Sequence, residues 1–292
     1  MKIGDAQLDV VIEQDLMALP LDAMQVGMRP EDLEPHLSWL APDFWDPAAK
    51  TILLSHHSWV VRTAAGTVLV DPCVGNHKHR PALPFYDQLD TPWLSRLADV
   101  GLAPGDIDFV VCTHLHVDHC GWNTQLQGGR WVPTFPNARY VFTRQEHDCW
   151  AADLRGELPP ELAFNAGVFA DSVAPVIEAG QALIVDDPAQ FSFAGRFTLM
   201  ETPGHTPGHV AAILDAGDDG VLFCGDVMHW PAQICFPDSP STSSYDDPMA
   251  VRSRRRVLEV CADRGLLLAT AHFRGPHACR IERVGGGFAP RW

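Results

Sequence analysis

The stretch Val111–Gly121, VCTHLHVDHCG, constrains this chain more than any other. It places His114, His116, Asp118 and His119 within six residues, directly after the mostly apolar run Ile107–Cys112. Three imidazoles and a carboxylate are nitrogen and oxygen donors suited to zinc or a similar first-row cation. Where an extended segment ends, alternate side chains can splay apart. His114 and His116 can then serve one cation while Asp118 and His119 turn toward a second. Chance clustering of surface histidines does not account for this order, with a glycine after it and a buried strand before it. The stretch reads as a metal site.

The rest of the composition bounds the partners. A chain of 292 residues with 46% hydrophobic and 20% charged residues can bury a sizeable core as one large domain or two small ones. Its formal charge of -16 argues against nucleic acid, because such binding neutralises phosphates with cationic side chains. The one basic cluster, Arg252, Arg254, Arg255 and Arg256, fits the solvated face of a helix. None of the eight cysteines forms a CxxC pair, and Cys112, Cys224 and Cys261 lie in apolar runs. Reduced, buried thiols point to the cytoplasm. The start, MKIGDAQLDVV, lacks the regions of a secretory signal, and no apolar run approaches the ~20 residues that span a bilayer. A soluble cytoplasmic protein with no membrane partner is expected.

Along the chain, strands are predicted over 7–14, 51–55, 59–63, 67–70, 107–112, 139–143, 191–202, 210–214, 221–224 and 266–270. Helices are predicted over 30–40, 92–100, 144–154, 159–177 and 248–264. Residues 73–91 read as a long ordered loop of the kind that serves as a functional lid. Strands alternating with helices, each strand ending in a polar loop, suggest α/β layering with a site at strand ends.

Three further features fall at such ends. Thr202–His209 reads TPGHTPGH, where glycines let the backbone approach a ligand and His205 can reach a metal. Asp226 closes FCGD after a buried strand, and His272 follows the run Leu266–Thr270. HLHVDH, then GHTPGH, then GD, then a late histidine, in this order from about Ile52 onward, resembles the metallo-β-lactamase superfamily. The resemblance implies an αβ/βα sandwich, two mixed sheets face to face with helices outside, over 51–292. Residues 1–50 would be an extension packed on the core or at a dimer interface. It also implies His114, His116 and His205 as ligands of a first metal, Asp118, His119 and His272 as ligands of a second, and Asp226 as the bridge. Two divalent cations, zinc foremost, can share a nucleophilic hydroxide. His209 is expected beside the ligands rather than among them. Cys224 is expected in the core, His56 and His57 at polar hairpin positions, His77 and His79 in solvent or on the lid, and His277 as a supporting hydrogen bonder.

Within the superfamily, acyl-homoserine lactonases carry a similar TPGHTPGH, but the tyrosine three residues after their bridging aspartate is here His229. SWVVRTAAGTVLVDPCVGNHKHR, GWNT and GDVMHWPAQ look more like the branch of methyl parathion hydrolase and related lactone or aryl-ester hydrolases. That resemblance implies a lactonase or esterase with an apolar small-molecule substrate. Asp118 would shuttle a proton to the leaving group and His229 would face the developing oxyanion. Phe85, Trp93, Trp122, Trp131 and Trp230 are expected to rim the pocket. A phosphotriesterase is the alternative; β-lactamase and glyoxalase-type thioesterase activities rank lower. A homodimer is expected.

Overall fold

Alternation along the strands decides the layers. In the computed structural model, which describes residues 1–217 and 219–292, Trp59, Val61, Val68, Val70, Val111 and Val141 face one way. Their neighbours Val60, Leu69, Val110, Tyr140 and Phe142 face the other. The second half repeats the pattern. Phe197, Val210, Ala212, Leu214, Val221, Phe223 and Ala269 turn inward, while Ala211, Ile213, Leu222 and Leu268 turn outward. Side chains that alternate with period two and are buried on both faces require two covered faces per sheet. The result is an αβ/βα sandwich, with one core between the sheets and one under the helices on each outer side.

The first sheet has eight strands, and its central order runs Ala6–Pro20, Thr51–Thr63, Gly66–Val70, Phe109–Val111, Arg139–Thr143 and Ala182–Val185. The second has seven, from Ser192–Phe193 to Gly287–Arg291. Gly66–Val70, Phe109–Val111 and Arg139–Thr143 are mutually parallel. Gly220–Phe223 is parallel to Leu267–Ala269, and Phe197–Glu201 runs the same way two strands over. The loops holding Asp71, the histidine motif, TPGHTPGH, Asp226 and His272 therefore all leave carboxyl ends of strands at one edge of the sandwich. This is where such sheets place ligands.

Several predicted elements differ in extent. Residues 51–55 and 59–63 are one strand, Thr51–Thr63, because the intervening polar SHHS pairs with the N-terminal strand. The predicted strand 191–202 splits into Ser192–Phe193 and Phe197–Glu201 around Ala194 and Gly195, both in the left-handed region. The segment 159–177 breaks into a 3-10 turn (Pro160–Asn165), a π turn (Phe169–Val173) and the short helix Ala174–Glu178. Helix Asp247–Arg264 forms much as predicted, with the Asp246 side chain accepting from Met249 N and Gly265 in the left-handed C-cap. Its Arg254 is not on a solvated face. The guanidinium is buried, reaching Val227 O (3.1 Å), Pro237 O (2.9 Å) and Ser239 O (2.9 Å), and so ties down the backbone that follows Asp226. Among the described residues no helix is long and apolar enough to cross a membrane.

Residues 1–50 pack on the core. Ala6–Pro20 is a full strand of the first sheet, and Leu21, Leu33, Leu40, Phe44 and Trp45 join the core outside the second. A bulge between Ile12 and Gln14 re-aims Glu13 inward, where its carboxylate accepts from Val74 N (2.8 Å), Gly75 N (3.1 Å) and Trp122 Nε1 (2.6 Å). Burial pushes this carboxyl up from 4.5 to about 7. The folded chain therefore keeps a proton that the unfolded chain releases earlier. The associated stability is complete below the unfolded value and is lost as pH rises through about 7. Glu13→Gln, which cannot ionise, is expected to flatten a loss of about 2–3 kcal/mol between roughly pH 5 and pH 8. Denaturant midpoints of both proteins at the two pH values check this, and an unchanged slope would contradict it.

Candidate metal centre

The centre is assembled from loop geometry outward. Asp71 follows Val70 at φ 51°, and its carboxylate accepts from Thr113 N (2.7 Å) and Thr113 Oγ1 (2.8 Å). Its Oδ2 also lies 3.1 Å from His119 Nδ1, fixing that ring from behind. His114 Nδ1 lies 3.2 Å from Thr113 Oγ1, and His272 Nδ1 meets Ser55 O at 3.1 Å. In His114 and His272 one nitrogen is thus occupied by the protein, in His119 it lies against the Asp71 carboxylate, and in each ring the other points into the site.

Those inward nitrogens and Asp226 form two groups. His116 Nδ1 and His205 Nε2 are 2.9 Å apart, and Asp226 Oδ2 lies 3.2 Å from His205 Nε2 and 3.8 Å from His114 Nε2. On the other side Asp226 Oδ1 lies 3.1 Å from His119 Nε2 and 3.0 Å from His272 Nε2, which are themselves 3.2 Å apart. Asp118 Oδ2 completes that side at 3.8 Å from His119 and 3.7 Å from His272. Bonds of about 2.0–2.1 Å to a tetrahedral cation imply ligand edges of roughly 3.3 Å, which both groups approach. His114 Nε2 and Asp226 Oδ1 are buried without a hydrogen-bond partner, as donors reserved for a cation would be. The two groups fit divalent metal ions.

Charge supports the same reading. Burial, reinforced by neighbouring imidazoles, drives His114 and His116 well below the ordinary histidine range, leaving them as neutral donors. Burial resists ionisation of Asp226, yet the surrounding His119, His272, His229 and His205 hold its carboxyl well below the ordinary range. Neutral imidazoles and ionised carboxylates are the forms that bind metal, whereas His119 and His272 are held above the ordinary range, against burial, by Asp226 and Asp118.

The surrounding residues hold the ligands in place. His209 Nε2 accepts from Asp226 N at 3.1 Å and its Nδ1 meets Thr202 Oγ1 at 2.8 Å, so neither nitrogen is left for a metal. Gly225 sits at φ 48°, and a Cβ there would fall 2.4 Å from Thr113 Oγ1 and 2.7 Å from His209 Nε2. Glu146, fully buried, accepts from Leu115 N (3.0 Å), Gly208 N (2.8 Å) and Trp150 Nε1 (2.8 Å), joining the two histidine loops. Cys224 packs in the outer core of the second sheet. His57 is buried, with Nε2 on Thr270 O at 2.7 Å, and its ring lies tilted 4.2 Å from that of His277, which in turn meets Phe273 O. His77 and His79 are exposed. Sequence reasoning missed Asp71, Glu146, Glu13 and Tyr86. Only Asp71 carried a signal, as a carboxylate directly after a buried strand.

A cavity of about 830 Å³ opens over the two groups. Of the five aromatics expected on its rim, Phe85 alone lines it. Trp93 and Trp122 are buried and stacked, 5.2 Å apart, beneath the first sheet. Trp230 packs 6.3 Å from Trp45 beneath the second, and Trp131 covers Lys78 Nζ at 3.6 Å. Trp93, Trp122 and Trp230 border sheets whose outer faces still needed covering, and burying so large an apolar ring there outweighs keeping it at a solvated rim, whereas Trp131 is half-buried over Lys78. The apolar walls come instead from Met17, Leu19, Leu54, Leu83 and Phe164, and polar ones from Ser243 and Tyr245. The loop 73–91 carries Leu83, Phe85 and Tyr86 into this wall, and the Arg80–Asp171 pair (2.8 and 2.7 Å) anchors it.

Known proteins are similar to this chain in sequence and in fold. An N-acyl homoserine lactonase of Bacillus cereus is 26% identical over 165 residues, 56% of this chain and 55% of that protein, so the match spans about half the relative's length. The crystal structure of the hydrolase AbOPH superposes with a TM-score of 0.82 at 21% identity, covering 100% of this chain and 95% of that one. AidC, a dizinc quorum-quenching lactonase solved with its product N-hexanoyl-L-homoserine, superposes at 0.79 with 21% identity, covering 99% and 95%. These likenesses establish the fold. The sequence profile of the metallo-beta-lactamase superfamily matches residues 51–264, and with its sandwich and its paired donor groups the chain belongs to that superfamily.

Proposed function

We propose that the protein is a binuclear zinc-dependent hydrolase that opens lactones or cleaves activated carboxylic esters of apolar acids. The observation that carries this reading is one carboxylate, Asp226, presenting its two oxygens to two separate donor groups beneath an apolar cavity. A bound pair of divalent cations supplies a hydroxide at neutral pH and polarises the substrate oxygen. The nitrogen-rich donor set favours zinc.

The chain's own residues divide the remaining work by side. His229 Nε2 lies 3.1 Å from Asp226 Oδ2, on the flank of His114 and His205, where an N–H can meet a carbonyl oxygen gaining charge. Asp118 stands on the opposite flank with His119 and His272, placed to hand a proton to the leaving oxygen. Aliphatic walls from Met17, Leu19 and Leu54 suit an apolar acyl group. The Bacillus cereus relative supports a lactone substrate, whereas His229 in place of the lactonase tyrosine favours a class wider than acyl-homoserine lactones. A phosphotriester would use the same residues, and relative rates on dihydrocoumarin and paraoxon decide between them.

The eight free cysteines, most of them buried, favour a reducing compartment such as the cytoplasm. A homodimer, which the family resemblance implies, is part of this reading, and light scattering tests it. For the activity, zinc-loaded protein is expected to hydrolyse dihydrocoumarin and aryl esters, to lose that rate on chelation and to regain it with zinc. Full activity in verified metal-free protein would overturn the proposal.

A further inference from the structure

One hydroxyl in the cavity wall has no role in the assignments above. Tyr86 projects from the loop 73–91 and is 6% exposed, with its Oη 2.5 Å from His56 Nε2 and 3.1 Å from Asp118 Oδ2. His56 is itself buried, its ring edge-on to Tyr86 at 5.2 Å and to His272 at 5.0 Å, and its Nδ1 has no partner. With Nδ1 bare, the ring's proton sits on Nε2, and Nε2–H donates to Tyr86 Oη. The phenol is then left to donate its single proton forward to Asp118 Oδ2. The chain His56 → Tyr86 → Asp118 thus ends on the flank opposite His229. Rotation about the phenolic C–O bond can turn that O–H from Asp118 Oδ2 to an oxygen lodged beside it.

We infer that Tyr86 donates a hydrogen bond to the oxygen that departs when the ester bond breaks, with His56 as the positioning residue that holds its hydroxyl. This deepens the proposed lactone and ester hydrolysis and rests on it. In the step, the acyl carbon gains the oxygen of water and loses its bond to the leaving oxygen. The attacking water gives up one proton to Asp118, and the leaving oxygen keeps the electron pair of the broken bond and takes that proton from Asp118. Tyr86 transfers no proton and only stabilises the charge in passing. The assignment also predicts selectivity, since poor alkoxide leaving groups need such a donor far more than phenolates do.

The test compares ligand binding with rate. Zinc-loaded wild type and Tyr86→Phe are titrated calorimetrically with hydroxyhexanoate, the ring-opened product of ε-caprolactone, and with hexanoate, which lacks the freed hydroxyl. Tyr86→Phe is expected to weaken hydroxyhexanoate by roughly three- to tenfold while hexanoate binds as to wild type. Its loss of kcat is expected to be at least about tenfold greater on ε-caprolactone than on a p-nitrophenyl ester. His56→Gln, which can still donate to Oη, should keep the discrimination that His56→Leu loses. Equal weakening of both acids, or equal rate loss on both substrates, overturns the role of Tyr86 and leaves the hydrolase reading standing. Metal-replete wild type inert on both substrates overturns that reading and this inference with it.

Discussion

Asp226→Asn is expected to bind close to one equivalent of zinc instead of two and to lose hydrolysis by on the order of 10³-fold or more. The amide keeps one oxygen acceptor but turns an NH2 toward the other donor group. His119 Nε2 and His272 Nε2, now at 3.1 and 3.0 Å from Oδ1, or else His205 Nε2, 3.2 Å from Oδ2, must lose their carboxylate partner. The negative charge that offsets repulsion between two cations disappears at the same time. Elemental analysis of dialysed protein together with steady-state rates checks this. Two tightly held zinc ions with near wild-type activity would show that Asp226 does not join the two donor groups.

The largest stability effect is expected at a residue that touches no metal. Glu146→Ala removes the acceptor for three buried donors, Leu115 N, Gly208 N and Trp150 Nε1, at a cost of about 1–3 kcal/mol each before relaxation. A net loss of about 3–5 kcal/mol corresponds to a fall in melting temperature on the order of 10 °C for a chain of this size. The same change loosens His114 and His116 relative to His205, so zinc affinity should also fall, by roughly 10–100-fold. Glu146→Gln, with one acceptor oxygen left, should fall between. A thermal scan of the metal-free proteins isolates the first effect, and competition with a chelator the second. An unshifted melting temperature would mean that these N–H groups find other partners.

The comparison of Glu146 with Asp226 shows what a sequence can and cannot disclose. Asp226, His205 and His272 stand out because donor side chains occur where buried runs end, and because their chemistry has few other uses there. Glu146 lies inside an ordinary helical stretch, and its partners are backbone N–H groups far along the chain, which leave no trace in residue identity. Glu13 is hidden likewise, since only a bulge turns it inward. The tryptophans mislead for a different reason. Local context placed Trp93, Trp122 and Trp230 next to loops, but burial of a large ring is decided by which outer face lacks cover, a property of the finished sandwich. Arg254 follows the same logic: three carbonyls exposed by the turn after Asp226 recruit a cation that helix periodicity assigns to solvent.

The N-terminal strand has three roles. Its pairing with Thr51–Thr63 builds the sheet, Glu13 braces the backbone behind the histidine motif, and Met17 and Leu19 face the cavity above the donor groups. Exchanging that strand with a relative's would transplant a specificity wall, a structural brace and a sheet partner in one move. The shape of the cavity is therefore coupled to foldability, and variants that enlarge it at Met17 or Leu19 will carry a stability penalty.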